Sequence, residues 1–286
     1  MLIEKDFIPA QGYECLNGCL CNYLKIWGTP LDTSLICFGG SGFKMGFKKA
    51  EKLYIAASVF ESDFDFMKRY NIDYVHTELE DKTDIKNTII KWVDEGRYFS
   101  IKLCSSFLKY HRVFSQNDSR HFISIVDYDL ENNKFLIIDG FVPTTVPSTF
   151  FGWVDMEDIL LGWAESDYDY VEFFKPDNLD VQKIKSDFKA SVIHQLKEYL
   201  NKSEEIDGIV YGYKSFLRLF NELLETPEDK IFDVALDINY QIRIQGLIAS
   251  RYYLRDAVGL LFDDKELYNS VDSYEPDDNL KKDKNE

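Results

Sequence analysis

The chain of 286 residues carries 33 basic and 50 acidic side chains, a formal net charge of −17; such a field repels phosphate backbones and anionic membranes, which argues against nucleic acid or a membrane as partner. With 45% hydrophobic and 15% aromatic residues it can fill one large core or two modest ones, yet no apolar run approaches the roughly 18 residues of a bilayer span. The start, MLIEKDFIPA, has neither a basic n-region nor an apolar h-region, and the cysteine count is odd, so a cytoplasmic protein with reduced thiols is expected.

The first informative stretch is GYECLNGCLCNYLKIWG, residues 12–28, with Cys15, Cys19 and Cys21 close together. A structural zinc site needs a second pair of ligands, but Cys37 and Cys104 are isolated and no His-x3–5-His pair exists. A helix fits better. Starting at Cys15, apolar residues fall at Leu16, Cys19, Leu20, Tyr23, Leu24 and Trp27, and Gly28 ends the run, the pattern of a buried face with a C-terminal glycine. Cys19 is then a small core residue, and Cys21 lies off the stripe. Cys15 heads the helix, where free N–H groups and the dipole favour a thiolate and can hold an oxyanion. A buried apolar role for Cys15 is the equal alternative from position alone.

Next come a polar turn at Asp32-Thr33-Ser34 and the glycine-rich Gly39-Gly40-Ser41-Gly42-Phe43. The latter lacks the G-x4-G-K-[ST] spacing of a phosphate loop. Lys44, Lys48, Lys49 and Lys52 follow, either a basic docking patch or an ordinary solvated helix face.

Short β-rich runs occupy residues 98–104, 121–129 and 134–142, and HFISIVDYDLENNKFLIIDG reads as a hairpin turning at LENN. Its first strand opens with His121 and its second ends at Asp139, an arrangement that can bring a carboxylate against an imidazole. Of the other histidines, His194 lies in a helical pattern as a surface or packing residue, and His76 and His111 have no orienting neighbour in sequence. After KPDN, residues 175–178, the pattern turns helical, with Leu179, Val181, Ile184, Phe188, Val192 and Leu196 in step. The expected organisation is an α+β domain over 1–175, a helical region over 176–265 and an acidic, disordered tail over 266–286. The aromatic-rich helices after residue 205 either pack on the first domain or form a homodimer surface.

The order Cys-helix, His-strand, Asp-strand resembles papain-like folds, and more closely the butirosin-biosynthesis protein H family. The likeness rests on YECLNGCLCNYLKIWGTPLDTSLICFGGSGFKMGF, on RHFISIVDYDLENNKFLIIDG, and on YGYKSFLRLFNELLE with IASRYYLRDAV, within residues 10 to 260. The family commonly has His directly before the cysteine; here that position is Glu14. The resemblance implies a papain-like cysteine-protease fold, a nucleophile-bearing buried helix on an antiparallel sheet, followed by a helical C-terminal region. It implies transfer of an acyl group from the phosphopantetheine arm of an acyl or peptidyl carrier protein, through an acyl-Cys15 intermediate, to a small amine. His121 would be general acid/base, Asp139 its orienter, and Gln11, Gly40, Ser41 and Gly42 would line the oxyanion hole and cleft. No metal and no bound cofactor are expected. An amide synthase of closthioamide-type assembly and an aminoglycoside acylase both fit. A cysteine peptidase or thioesterase with the same residues, and a non-catalytic binding module, are the competing classes.

Overall fold

The computed structural model describes residues 3, 6–49, 53–57, 59–111, 119–142, 148–206, 208–244 and 247–262. In chain order the elements are α1 (Cys15–Ile26), α2 (Thr33–Gly39), β1 (Met45–Lys49), β2 (Leu53–Ala57), α3 (Val59–Arg69), β3 (Tyr74–Glu78) and α4 (Ile85–Asp94). There follow β4 (Tyr98–Cys104), β5 (Arg120–Asp129), β6 (Lys134–Val142), β7 (Ser148–Asp155), α5 (Met156–Ala164) and β8 (Asp169–Phe173). The last are α6 (Val181–Asn201), β9 (Glu205–Ile206), β10 (Ile209–Tyr211), α7 (Tyr213–Leu224), α8 (Ile231–Ile244) and α9 (Leu247–Phe262). The chain is thus a mixed α+β protein with antiparallel sheets, as its patterning indicated. No described helix is long and apolar enough to cross a membrane.

Helix α1 starts and stops where its sequence says. Glu14, extended at φ −149°, caps it by accepting from the N–H groups of Leu16 and Asn17. Gly28 sits past the end at φ +82°, a left-handed conformation that glycine adopts without strain. The apolar stripe, however, understates the burial. Every residue from Cys15 to Leu24 is buried, Cys21 included, because α1 packs against β5 and β6 on one side and α2 and α3 on others. A helix enclosed this way must satisfy its polar side chains internally. Asn22 does so by accepting from Ala10 N–H at 2.8 Å and donating to the Gly18 carbonyl at 2.7 Å. Gly18 faces Gly140 of β6 so closely that a Cβ on Gly18 would lie 2.9 Å from the Gly140 backbone.

The larger sheet runs β3-β8-β4-β5-β6-β7. Its β5–β6 hairpin turns at Leu130–Asn133, where Asp129 Oδ1 accepts from Asn132 N–H at 3.0 Å and Asn133 takes φ +54°. One face carries the cluster of α1, with Tyr23, Phe122 and Phe173. The other is covered by α4 and α5, with Trp92, Trp163, Ile123, Ile125, Phe135 and Ile137 in one cluster. Side chains alternate faces along a strand, so neighbours on β5 contribute to different layers.

The region after residue 176 carries four of the helices, α6, α7, α8 and α9, and two short strands besides. It supplies β9 and β10, and β10 pairs with β1 in the small sheet β2-β1-β10-β9. Its helices α6 and α9 pack on the first region, one of the two arrangements left open by the sequence: Ile184, Phe188 and Val192 of α6 and Tyr253 and Ala257 of α9 belong to the same core cluster as α1. Tyr253 OH also accepts from Tyr13 N–H at 3.2 Å, just before the α1 cap. Lys48 and Lys49 lie on strand β1 rather than on a helix face, and Lys44 faces Glu61 at 3.8 Å. Lys52 and the whole of 266–286 lie outside the described residues.

Candidate active site

Two clusters meet the description of a chemical site. The first surrounds Cys15. Glu14 is buried, and its carboxylate accepts three hydrogen bonds. Oε1 accepts from Leu16 N–H at 2.9 Å and from the Cys15 thiol at 3.0 Å, and Oε2 accepts from Asn17 N–H at 2.8 Å. Gly18 N–H is engaged by the Glu14 carbonyl at 3.0 Å. These contacts take up the first-turn donors except the Cys15 N–H itself. The helix start therefore does not stabilise a resting thiolate, contrary to what its position suggested. Burial, then the Glu14 charge and hydrogen bond, push the Cys15 thiol well above the usual range, while a hydrogen bond from Phe122 N–H pulls it down. Cys15 is a neutral thiol between a carboxylate and a backbone donor.

Behind Glu14 stands Asp63, on α3 and fully buried. Its Oδ1 accepts from Asn17 Nδ2 at 2.8 Å, whereas Oδ2 is enclosed without a donor. Burial and the adjacent Glu14 charge push Asp63 well above the usual carboxylate range, and Glu14 is itself a side-chain hydrogen-bond neighbour. Two carboxylates can share such a contact only through a proton. Burial and the Glu14 charge thus drive Asp63 toward its protonated form.

The second cluster centres on Asp139, also fully buried. Its Oδ2 accepts from His121 Nε2 at 2.8 Å, from Tyr110 OH at 3.0 Å and from His111 Nε2 at 3.1 Å, and its Oδ1 accepts from Phe141 N–H at 2.9 Å. Burial would raise its pKa, but the charge of His121 and the hydrogen bonds from both imidazoles outweigh that and hold it well below the usual range. Burial keeps His111 neutral despite Asp139. The two rings pack edge to face with centroids 4.7 Å apart, and Tyr110 stacks on Phe150 at 3.9 Å.

The structure therefore brings His121 and Asp139 together, as the hairpin suggested. The thiol of Cys15 bonds to Glu14, and the link between the two clusters is Phe122, whose N–H meets the sulfur and whose neighbour in sequence is His121. Phe122 turns toward α1, and strand alternation sends His121, the second residue of β5, to the opposite face with Tyr110 and His111, so the structure does not bring the His121 imidazole to the Cys15 thiol. Of the expected cleft residues, Gln11 is exposed. Gly40, Ser41 and Gly42 have their close contacts with α2 and α3: a Cβ on Gly40 would meet the Ser62 carbonyl, one on Gly42 would meet Cys37, and Ser41 Oγ donates to Asp65. This glycine-rich segment lets α3, the helix bearing Asp63, approach closely.

Sequence reading missed His111, Tyr110 and Asp63. His76 also has a partner: its Nε2 meets Asp169 Oδ1 at 2.8 Å, beside Lys102 at 2.7 Å, in an open surface concavity with Leu79 and Lys82. Among the described residues, His111, His121 and Asp139 could hold a metal, their ligand atoms lying within 4.8 Å of one another. The fit is poor, because a metal-bound imidazole normally donates its other N–H to an acceptor and His111 Nδ1 is buried without one. The five cysteines are all buried; burial pushes Cys19 up to about 12 and Cys21 and Cys37 well above the usual range. The chain matches no known protein-family model and no curated protein.

Proposed function

We propose that the protein is a cysteine-dependent acyltransferase of the papain-like type. Cys15 would accept an acyl group from the phosphopantetheine thioester of an acyl or peptidyl carrier protein and pass it to a small amine, forming an amide. The observation that supports this most is the junction at Phe122. The sulfur of Cys15, at the first residue of a buried helix, receives the N–H of the residue that follows His121. His121 in turn is fixed by Asp139 through Nε2, which leaves Nδ1 as the ring nitrogen for proton transfer.

The chemistry suits this surrounding. Thioester exchange swaps one C–S bond for another, and attack by the amine then forms the stronger amide bond. This reading requires the amine to lose its proton to His121 across β5 from the acyl-Cys15, with the ionised Asp139 stabilising the imidazolium that results. The Cys15 N–H, which the Glu14 carboxylate does not occupy, is the proposed donor to the oxyanion. A buried, neutral thiol resists adventitious oxidation, and an enclosed acyl group is shielded from water, which favours aminolysis over hydrolysis.

The test is intact mass after mixing the protein with carrier-protein thioesters, in parallel with Cys15→Ala. The expected result is an acyl mass gain that Cys15→Ala abolishes and that an added amine discharges as amide. Discharge to free acid without an amine would make it a thioesterase. Cleavage of peptides with no acylation by any thioester would favour a peptidase. No adduct and no turnover of either substrate would leave a binding module.

A further inference from the structure

Resting on that reading, we propose that Glu14 is a further catalytic residue, the base that takes the Cys15 thiol proton, and that Asp63 is the positioning residue that holds it. Glu14 Oε1 is already the acceptor of the S–H at 3.0 Å. The imidazole of His121 is engaged elsewhere, at Asp139. Glu14 cannot swing away, because both its oxygens are pinned by the N–H groups of Leu16 and Asn17. Asn17 fixes the partner too, donating through Nδ2 to Asp63 Oδ1 at 2.8 Å. The enclosed Oδ2 of Asp63, which has no donor, is satisfied if it carries a proton aimed at Glu14.

The proton inventory closes. In the resting state the Glu14–Asp63 pair holds one proton and Cys15 holds its own. As the sulfur attacks the thioester carbonyl, the S–H proton moves to Glu14 and a new C–S bond forms. The bond to pantetheine then breaks, and Glu14 returns the proton to the leaving thiolate. The pair ends with one proton, Cys15 is acylated and pantetheine leaves as a thiol. Net charge in the buried cluster is unchanged throughout, which avoids creating an uncompensated charge in the core. The other titratable groups facing the cluster are Cys19 and Cys21 of α1, Cys37 of α2 and Tyr253 of α9, all pushed toward their protonated forms by burial. The labour is thereby divided: Glu14 serves the thiol, and His121 serves the amine.

The experiment compares two reactions of the same sulfur in wild type and Glu14→Gln: alkylation by iodoacetamide and acylation by a carrier-protein thioester. Glutamine keeps the shape of the cap but removes the charge that disfavours a thiolate, so alkylation at neutral pH should become faster. Loss of a general base should slow acylation by about a hundredfold. A merely structural role would move both rates the same way. Acylation that is unchanged or faster in Glu14→Gln overturns the inference while leaving Cys15 as nucleophile; wild type that no thioester acylates overturns the acyltransfer reading itself. Should Glu14→Gln fail to fold, Asp63→Asn decides. Wild-type acylation should decline at alkaline pH as Asp63 loses its proton and a second charge appears beside the thiol, and Asp63→Asn should lack that decline. Identical profiles would overturn the inference.

Discussion

Asp139 and Asp63 are equally buried, each with no exposed surface, yet their carboxyls are driven in opposite directions, Asp139 down and Asp63 up. Asp139 collects three donors on one oxygen and a fourth on the other. Asp63 has one donor and a neighbouring carboxylate. Burial raises the cost of charge at both, and the partners decide whether that cost is met. The consequence is chemical. An ionised, well-solvated-by-protein Asp139 can hold an imidazole through a proton transfer, while a protonated Asp63 can only lend a hydrogen bond to the group beside it.

The largest expected effect of breaking this contrast is at Asp139. Asp139→Asn leaves two buried imidazoles facing an amide; removing one partner of such a buried charge cluster costs about 3–5 kcal/mol. Acyl transfer to the amine should fall by about 10⁴, the scale of losing an orienting carboxylate behind a catalytic His. Chemical denaturation and amide formation by single turnover measure the two.

Asp63→Asn should act in the other direction. Because its folded pKa is raised, the folded state binds the extra proton and wild-type stability falls as pH rises above the unfolded value of about 3.9. Each pH unit of that window costs about 1.4 kcal/mol. Asp63→Asn escapes this cost and keeps the acceptor for Asn17, so its denaturation midpoint should exceed that of wild type increasingly above about pH 4. Asp139, with its depressed pKa, contributes stability that is present above its unfolded value of about 3.9 and lost progressively below it. Asp139→Asn should lack that acid-side loss.

His111→Leu is smaller: one hydrogen bond to a charged group, about 1.5–3 kcal/mol. His111 is held neutral in the fold, so its contribution is lost as pH falls through its unfolded value of about 6.5. The variant should lose that part of the acid sensitivity in a denaturation series. Tyr110→Phe keeps the stack on Phe150 and deletes only the hydroxyl that donates to the same ionised Asp139, and should sit at the low end of that range, about 1.5 kcal/mol.

What the sequence disclosed about this site was local. The start of α1, its stop at Gly28 and the Leu130–Asn133 turn follow from caps and turn residues within a few positions. The His121–Asp139 contact was legible because a short hairpin brings the two together. Asp63 and Asn17 are 46 positions apart, and no periodicity in α3 marks one aspartate as the one turned inward against a second carboxylate. His111 sits next to Tyr110 in a stretch with no regular pattern, and the packing of Tyr110 on Phe150 of β7 with the His111 N–H bond to the Leu108 carbonyl sets it beside Asp139. Strands β9 and β10 escaped notice because two- and three-residue strands leave no alternation to read. Glu14 was visible as a departure from the family resemblance, but its contacts with the thiol and with Asp63 needed the fold.

The most direct test is to map the acyl group after limiting exposure to a carrier-protein thioester, by digesting the protein and weighing the cysteine peptides. The account predicts that the acyl mass is carried by Cys15, with Cys19 and Cys21 on the same helix unmodified. Acyl mass on either of those two, or on Cys37 or Cys104 with Cys15 untouched, would contradict it.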